Sequence, residues 1–167
     1  MSATAVRSVA LVGATISMGL VAGVFDLYAH TVMPGLGRTD DRTFVGAFQS
    51  MDRAIINPWF IGGCFLGALV FSAAATLTNR GEPAFAWAVT ALLAYLVAVI
   101  VTVAIHVPVN DAMKAAGDPD RIGNLALVRT QFDESRWAAW NLVRVVTSTG
   151  AFASLTWALV VHGRSTA

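Results

Sequence analysis

Four long runs of apolar residues limit this chain to a helical membrane protein. Each run is nearly free of charge, and each meets the length of about 20 residues that a helix needs to cross the hydrocarbon core of a bilayer. The predicted spans cover residues 8–33, 58–77, 83–107 and 135–161. Connections between them are short enough for neighbouring helices to alternate in direction, so we expect an all-α, four-helix, up-down transmembrane bundle.

The amino-acid composition also indicates a membrane protein. Hydrophobic residues make up 56% of the chain and charged residues 13%, against roughly 45–50% and about 25% in a soluble domain. A length of 167 residues suits a single domain that covers 1–167. The formal net charge of +1 gives no basic face for nucleic acid, so the expected surroundings are the lipid bilayer and a hydrophobic small molecule.

Two polar connections lie on the same side of the predicted bundle. Within residues 38–53, apolar residues recur at helical spacing, which predicts an amphipathic helix that lies on the headgroups or acts as a lid. These apolar residues are Phe44, Ala47, Phe48 and Met51, whereas Asp41, Arg42, Gln49, Asp52 and Arg53 point in other directions. Residues 108–135 form a long polar loop. Pro34, Gly35 and Gly37 are expected to end the first helix, and Pro108 is expected to stop or kink the third.

The first span carries an unusual polar stripe. Gly19, Gly23, Asp26 and His30 follow one another at intervals of four, three and four, so they share one helical face. Glycines at this spacing let another helix approach closely, either within the bundle or in a homo-oligomer. A carboxylate within a span is costly and usually has a partner or a function.

Other polar residues are expected at the same end of the bundle. Asn57 begins the second span, and His106 and Asn110 follow the third. In the fourth span a polar stripe is formed by Trp137, Asn141, Arg144 and Ser148. Asp26 and Arg144 both lie about 10–14 Å below the membrane surface, so they are a plausible ion pair. The cluster is therefore either a bundle-locking network or a polar pocket that opens to one surface, and its crowding favours the pocket.

A metal site is a weaker alternative. His30, His106 and Asp26 make a two-histidine, one-carboxylate set, although the histidines lie on different helices and no H-x-x-x-H element is present. No motif supports nucleotide binding, serine hydrolysis or thiol redox chemistry.

Several short motifs, in their order and spacing, resemble the anthrone oxygenase-like family of small four-span membrane proteins. The resemblance covers about residues 10–160. It rests on Gly23, Phe25, Met33-Pro34-Gly35-Leu36, Phe48-Gln49, Asn57-Pro58, His106-Val107-Pro108-Val109-Asn110, Trp137, Trp140-Asn141 and Arg144. His106 stands where the family more often has another polar residue. The resemblance gives no catalytic role to Asp26 or His30.

The resemblance implies oxidation of an anthrone to an anthraquinone, with molecular oxygen as co-substrate and no required organic cofactor. Under this hypothesis His30 or His106 is the base, and Asp26 orients it. Arg144 and Asn141 stabilise the oxyanion, Asn110 belongs to the catalytic set, and Trp137 and Asn57 bind the substrate. The alternative is a non-catalytic membrane module that binds a lipid, a quinone or a partner protein.

The charges outside the spans give a weak indication of orientation. Three cations lie on the side of the termini, namely Arg7, Arg80 and Arg164. Seven lie on the side of the long connections, namely Arg38, Arg42, Arg53, Lys114, Arg121, Arg129 and Arg136. Taken alone, this difference puts the long connections in the cytoplasm of a cell whose cytoplasmic membrane holds the protein, although acidic residues in the same connections leave the orientation open.

Overall fold

The computed structural model describes residues 2–166 of the chain, and these residues form six helices and no strand. In chain order the helices are α1 (Ala3–Leu36), α2 (Asp41–Ile55), α3 (Pro58–Thr78), α4 (Phe85–Ala115), α5 (Leu125–Phe132) and α6 (Glu134–Thr166). Helices α1, α3, α4 and α6 provide four stretches that are long and apolar enough to cross a membrane. The predicted all-α, four-span membrane bundle is confirmed.

The four long helices pack in a ring. Helix α1 lies between α3 and α6, and α4 completes the ring by packing against the same two neighbours. Small side chains fill much of the interior, including the fully buried Ala14, Ala68, Ala88, Ala91 and Ala151. In a bilayer, helices associate through close van der Waals packing, and small residues bring their backbones together.

The glycines of the first two spans differ in whether a neighbouring helix packs closely against them. A Cβ atom on Gly67 of α3 would lie 3.2 Å from the Ser17 hydroxyl of α1, so this glycine does permit a close helix contact. A Cβ atom on Gly23 would meet nothing within 4 Å. The prediction that Gly19 and Gly23 receive a neighbouring helix is therefore confirmed at Gly19, where a Cβ atom would lie 2.9 Å from the Phe152 ring of α6, and wrong for the bundle itself at Gly23. A contact of Gly23 with a second copy stays a prediction.

Three of the long helices contain a widened, π-helical turn. The turns are Tyr28–Val32 in α1, Pro58–Leu66 in α3 and Thr102–His106 in α4. In α1 and α4 a proline follows two residues after the turn, and both helices continue past it to Leu36 and Ala115. The prediction that Pro108 stops α4 is therefore wrong, whereas α1 ends at Leu36, within the run from Pro34 to Gly37 that is predicted to end it. A widened turn changes the hydrogen-bond register ahead of the proline, which lacks an N–H and would otherwise disrupt the ladder.

The amphipathic helix α2 lies over one end of the bundle and is held there by hydrogen bonds. Asp40 caps it by accepting a hydrogen bond from the Thr43 backbone N–H at 3.0 Å. Gln49 donates to the backbone carbonyls of Met113 and Gly117. Gln49 and Asp52 are buried, so the prediction that they point away from the apolar face is wrong. Phe48 and Asp52 are one turn apart and share the buried face.

The connection between α4 and α6 contains its own short helix, α5. Arg129 of α5 contacts Asp41 and Glu134, donates to the backbone carbonyls of Thr39 and Gly37, and lies over the Phe44 ring. These bonds join α5 to α2 and to the loop that follows α1. The connecting segments thus form a folded layer across the end of the bundle.

Candidate functional site

A cavity of about 150 Å³ lies where the bundle meets helix α2. All three widened turns contribute to its wall, through Tyr28 of α1, Phe60 of α3 and His106 of α4. Widened turns of this kind are frequent at functional sites, because they displace side chains from regular helical register. Most of the wall is apolar, and a small number of polar side chains interrupt it.

Arg144 of α6 is the cation in the inner wall. Its Nη2 donates to Asn141 Oδ1 at 2.7 Å, and its Nη1 lies 3.4 Å from the Thr102 hydroxyl. The guanidinium carbon lies 4.3 Å from the centroid of the Phe25 ring and 5.5 Å from that of Trp137. Asn141 in turn donates to the Phe25 carbonyl at 3.0 Å. Asn141 therefore fixes the guanidinium in place, and the aromatic rings flank it.

This cation has no acidic partner in the part of the chain that the structure describes. No carboxylate of residues 2–166 lies within 4.0 Å of Arg144. Its Nε is buried and makes no hydrogen bond within those residues. A buried charge is normally paired, so an unpaired guanidinium beside a cavity is suited to receive an anionic oxygen of a ligand.

A second polar group enters the wall from α2 and α4. Trp137 Nε1 donates to Asn110 Oδ1 at 3.0 Å, and Asn110 Nδ2 donates to Asp52 Oδ1 at 2.7 Å. Lys114 lies 2.7 Å from Asp52 Oδ2 and 2.9 Å from Asp111 Oδ1. The Asp52 carboxylate is therefore paired with Lys114, and its two oxygens are held from two directions.

The structure brings together only part of the predicted site. His106, Asn110, Trp137 and Arg144 line the cavity, whereas Asn141 lies behind Arg144 and supports it. The His106 ring packs edge to face against Trp137, with ring centroids 4.8 Å apart. Both of its nitrogens lie 3.4 Å from backbone carbonyl oxygens.

The other predicted residues lie elsewhere. Asn57 caps α3 by accepting a hydrogen bond from the Phe60 N–H and is not among the cavity-lining residues. The side chains of Asp26 and His30 are 55% and 58% exposed on the outer face of α1, where they contact each other at 3.4 Å. Any roles of these residues in binding and catalysis stay predictions.

Two expected constellations do not form. The predicted ion pair between Asp26 and Arg144 is wrong, because the first side chain points outward from α1 and the second points into the bundle. The predicted metal set of His30, His106 and Asp26 is not assembled, since His30 is exposed and His106 is buried. Within residues 2–166 no three histidine, cysteine or acidic side chains are grouped so as to hold a metal ion.

Sequence reasoning missed Tyr28, Asp52 and Lys114. Tyr28 lines the cavity, and its ring centroid lies 6.0 Å from that of Trp137. The sequence contained a signal for Asp52, because it follows Phe44 and Phe48 at intervals of four and so continues the apolar stripe of α2. Lys114 had no such signal, since its position depends on the continuation of α4 beyond Pro108.

Comparison with known protein families gives a match to this chain. The family model described as anthrone oxygenase matches residues 49–154, which is more than half of the chain and includes every cavity residue from α4 and α6, and Asp52 and Ile55 of α2. Searches of curated proteins and of solved structures gave no match. With a match of this extent, the chain belongs to the anthrone oxygenase family.

Proposed function

We propose that this protein is a membrane-embedded oxygenase that acts on a hydrophobic aromatic molecule with an acidic C–H or hydroxyl group, such as an anthrone. The observation that carries the proposal is the buried Arg144 guanidinium, which faces an apolar cavity without a carboxylate partner within residues 2–166. Family membership supports the same chemistry. We place the protein in the cytoplasmic membrane as part of this proposal.

The chemistry requires little from the protein besides a suitable environment. Loss of a proton from the methylene group of an anthrone gives an aromatic enolate, which is electron-rich enough to react with oxygen directly. Oxygen adds to the former methylene carbon, and the resulting hydroperoxide loses water to give the second carbonyl. One oxygen atom enters the anthraquinone and the other leaves as water, so no external reductant is needed.

Arg144 supplies the stabilisation that this reaction needs. Negative charge develops on the substrate oxygen as the proton leaves, and a fixed donor that points at that oxygen lowers the barrier. Asn141 holds the guanidinium in one orientation through its 2.7 Å hydrogen bond. The low dielectric of the apolar wall makes the interaction stronger than it would be in water.

Aromatic side chains favour a flat substrate. Phe25, Tyr28 and Trp137 line the cavity close to Arg144, and aromatic rings prefer stacked or edge-to-face neighbours. Of the predicted bases, His106 belongs to this wall and His30 does not. An apolar cavity also admits oxygen, which dissolves better in hydrocarbon than in water.

A direct test uses the full chain in detergent micelles or nanodiscs with anthrone and oxygen. Anthraquinone formation and oxygen uptake are measured above the rate of spontaneous oxidation, and labelled oxygen should contribute one atom to the product. Arg144→Met should lower the rate about 100-fold or more, whereas Arg136→Gln, an exposed position on the same helix, should not. If the wild-type protein binds anthrone tightly but does not accelerate its oxidation, the protein is a binding module instead.

A further inference from the structure

The cavity holds a carboxylate as well as a cation, and the two are not paired with each other. Asp52 enters the wall from α2, the helix that covers the end of the bundle, whereas Arg144 enters from α6. Asp52 pairs with Lys114 at 2.7 Å. The Asp52 carboxylate and the Arg144 guanidinium are therefore supplied by separate elements.

We infer that Asp52 is the catalytic base of the proposed oxygenation and that Lys114 and Asn110 are its positioning residues. The inference rests on the proposed function and adds a proton acceptor to it. Asp52 lines the cavity, its side chain is 11% exposed, and its carboxylate is fixed by Asn110 on one oxygen and by Lys114 on the other.

The two positioning contacts leave the carboxylate able to accept a proton. Asn110 donates a hydrogen bond to Oδ1, whereas Oδ2 lies 2.7 Å from the Lys114 ammonium and accepts no hydrogen bond within residues 2–166. A carboxylate oxygen has two lone pairs, so Oδ2 retains the capacity to accept a proton. Asn110 is itself held by the Trp137 indole N–H, so the orientation of Asp52 is linked to the ring that forms part of the substrate wall.

The other ionisable groups of the wall are less suited to this task. The two nitrogens of His106 both lie 3.4 Å from backbone carbonyls, those of Val101 and Trp137, so both are directed at protein atoms. Tyr28 is a neutral phenol and can donate a proton, but it is a poor acceptor. Arg144 is already charged. Two carboxylates remain in the wall, Asp52 and Asp111. The Asp111 side chain is 60% exposed and contacts Lys114, whereas Asp52 is 11% exposed and is held by both Lys114 and Asn110, so Asp52 is the better oriented of the two.

The shape of an anthrone requires two separate groups. Its carbonyl oxygen and its acidic methylene carbon lie at opposite edges of the central ring, so one side chain cannot serve both. In the proposed step, the C–H bond breaks, the proton moves to a carboxylate oxygen of Asp52, and the electron pair enters the ring. Negative charge then appears on the oxygen at the far edge, where Arg144 stabilises it.

The remaining steps return Asp52 to its starting state. After oxygen has added to the carbon, the proton on Asp52 passes to the peroxide anion and gives a hydroperoxide. Removal of the second methylene proton breaks the O–O bond, and hydroxide leaves with that proton as water. Lys114 also contacts Asp111, whose side chain is 60% exposed, so the carboxylate is connected to the membrane surface through one ammonium group.

The test compares Asp52→Asn and Asp52→Glu with the control Asp118→Asn, which lies in an exposed ion pair with Arg121. At neutral pH we expect Asp52→Asn to lower kcat about 100-fold or more, to change KM little, and to recover activity as alkaline pH ionises the anthrone in solution. Asp52→Glu should restore part of the rate at neutral pH. A merely structural role would not produce alkaline recovery.

A second variant separates chemistry from folding. Asp52→Asn leaves the Lys114 charge without its closest partner, so the double variant with Lys114→Met is measured in parallel, together with thermal unfolding of both proteins. The double variant should unfold at a temperature close to that of wild type. Its kcat should remain low at neutral pH and recover at alkaline pH. A kcat within threefold of wild type in folded Asp52→Asn overturns the inference alone. Failure of the wild type to oxidise anthrone overturns the proposed function and, with it, this inference.

Discussion

The guanidinium of Arg144 lies 4.3 Å from the centroid of the Phe25 ring, so an aromatic face stabilises the cation of the cavity where a carboxylate would be expected. A desolvated cation–π contact is worth about 2 kcal/mol, which is less than the cost of burying an isolated charge. The site therefore holds a charge that is incompletely compensated until an anionic oxygen binds.

This relationship predicts opposite effects on stability and on activity. Arg144→Met replaces the charge by an apolar side chain of similar length, so we expect the unfolding temperature in detergent to stay the same or to rise. Turnover of anthrone should fall about 100-fold or more. Thermal unfolding and oxygen uptake on the same preparation check both effects, and a variant that loses stability and activity together contradicts this reading.

Trp137→Phe keeps an aromatic ring in the wall but removes the N–H that Asn110 accepts. We expect a loss of about 1 kcal/mol of stability from the missing hydrogen bond and a lower kcat with a small change in KM, because Asn110 would hold Asp52 less firmly. Unfolding curves and steady-state kinetics measure the two effects. Trp140→Phe, on the same helix and partly exposed, is the matched control.

Asp26→Asn and His30→Ala test whether the exposed pair on α1 takes part in the reaction. The two side chains are more than half exposed and lie outside the cavity wall, and exposed ion pairs contribute about 0–1 kcal/mol. We expect kcat and unfolding temperature within about twofold and a few degrees of wild type. A 100-fold loss of kcat in either variant would restore the catalytic role that the sequence suggested.

Gly67 and Gly23 form a matched pair of positions for helix packing. Gly67→Leu should destabilise the contact of α3 with α1 by about 1–3 kcal/mol, because even a Cβ atom would lie 3.2 Å from Ser17 Oγ. Gly23→Leu should leave the stability of the monomer unchanged, since a Cβ atom at this position would have no neighbouring atom within 4 Å. Unfolding and size-exclusion measurements on both variants check this, and dissociation of a dimer by Gly23→Leu would establish a contact with a second copy.

Asp40 gives a prediction about pH. Hydrogen bonds from the hydroxyl and then the backbone N–H of Thr43 hold the pKa of the Asp40 carboxyl below its ordinary value. Its cap therefore stabilises α2 above the pKa of the unfolded chain, about 3.9, and this contribution is lost as pH falls through the lower pKa of the folded state. The difference in unfolding temperature between wild type and Asp40→Ala should shrink below about pH 4. A constant difference from pH 7 to pH 3 would contradict it.

The sequence predicted the bundle well because hydrophobic length alone identifies membrane spans. It predicted the end of α4 poorly at Pro108, since the widened turn that accommodates this proline leaves no mark in a hydropathy pattern. The error at Asp26 and His30 has another cause. The two residues do share a face, as their spacing predicted, and contact each other at 3.4 Å, but spacing alone does not indicate whether that face looks inward.

For the fourth span, regular spacing was a sound guide. Trp137, Asn141 and Arg144 lie on an uninterrupted α-helix, and all three are buried at the site, as their shared face suggested. Asp52 was assigned to the wrong side of α2 because charged residues in amphipathic helices usually face water. Its burial depends on Lys114 and Asn110, which come from a distant part of the chain and become neighbours only in the folded protein.

The outward-facing pair of Asp26 and His30 has a consequence for where the substrate comes from. The charge-free stretch 8–25 measures about 27 Å as a helix, close to the thickness of the hydrocarbon layer, so this pair marks the level at which lipid tails give way to headgroups. Phe25 and Tyr28, which are close to Asp26 in α1, line the cavity, so the cavity lies at about the depth of that boundary. Amphiphilic phenols collect there, whereas the quinone product, without an acidic proton, partitions deeper among the tails. Substrate supply and product removal would then occur within a single leaflet, without passage through bulk water.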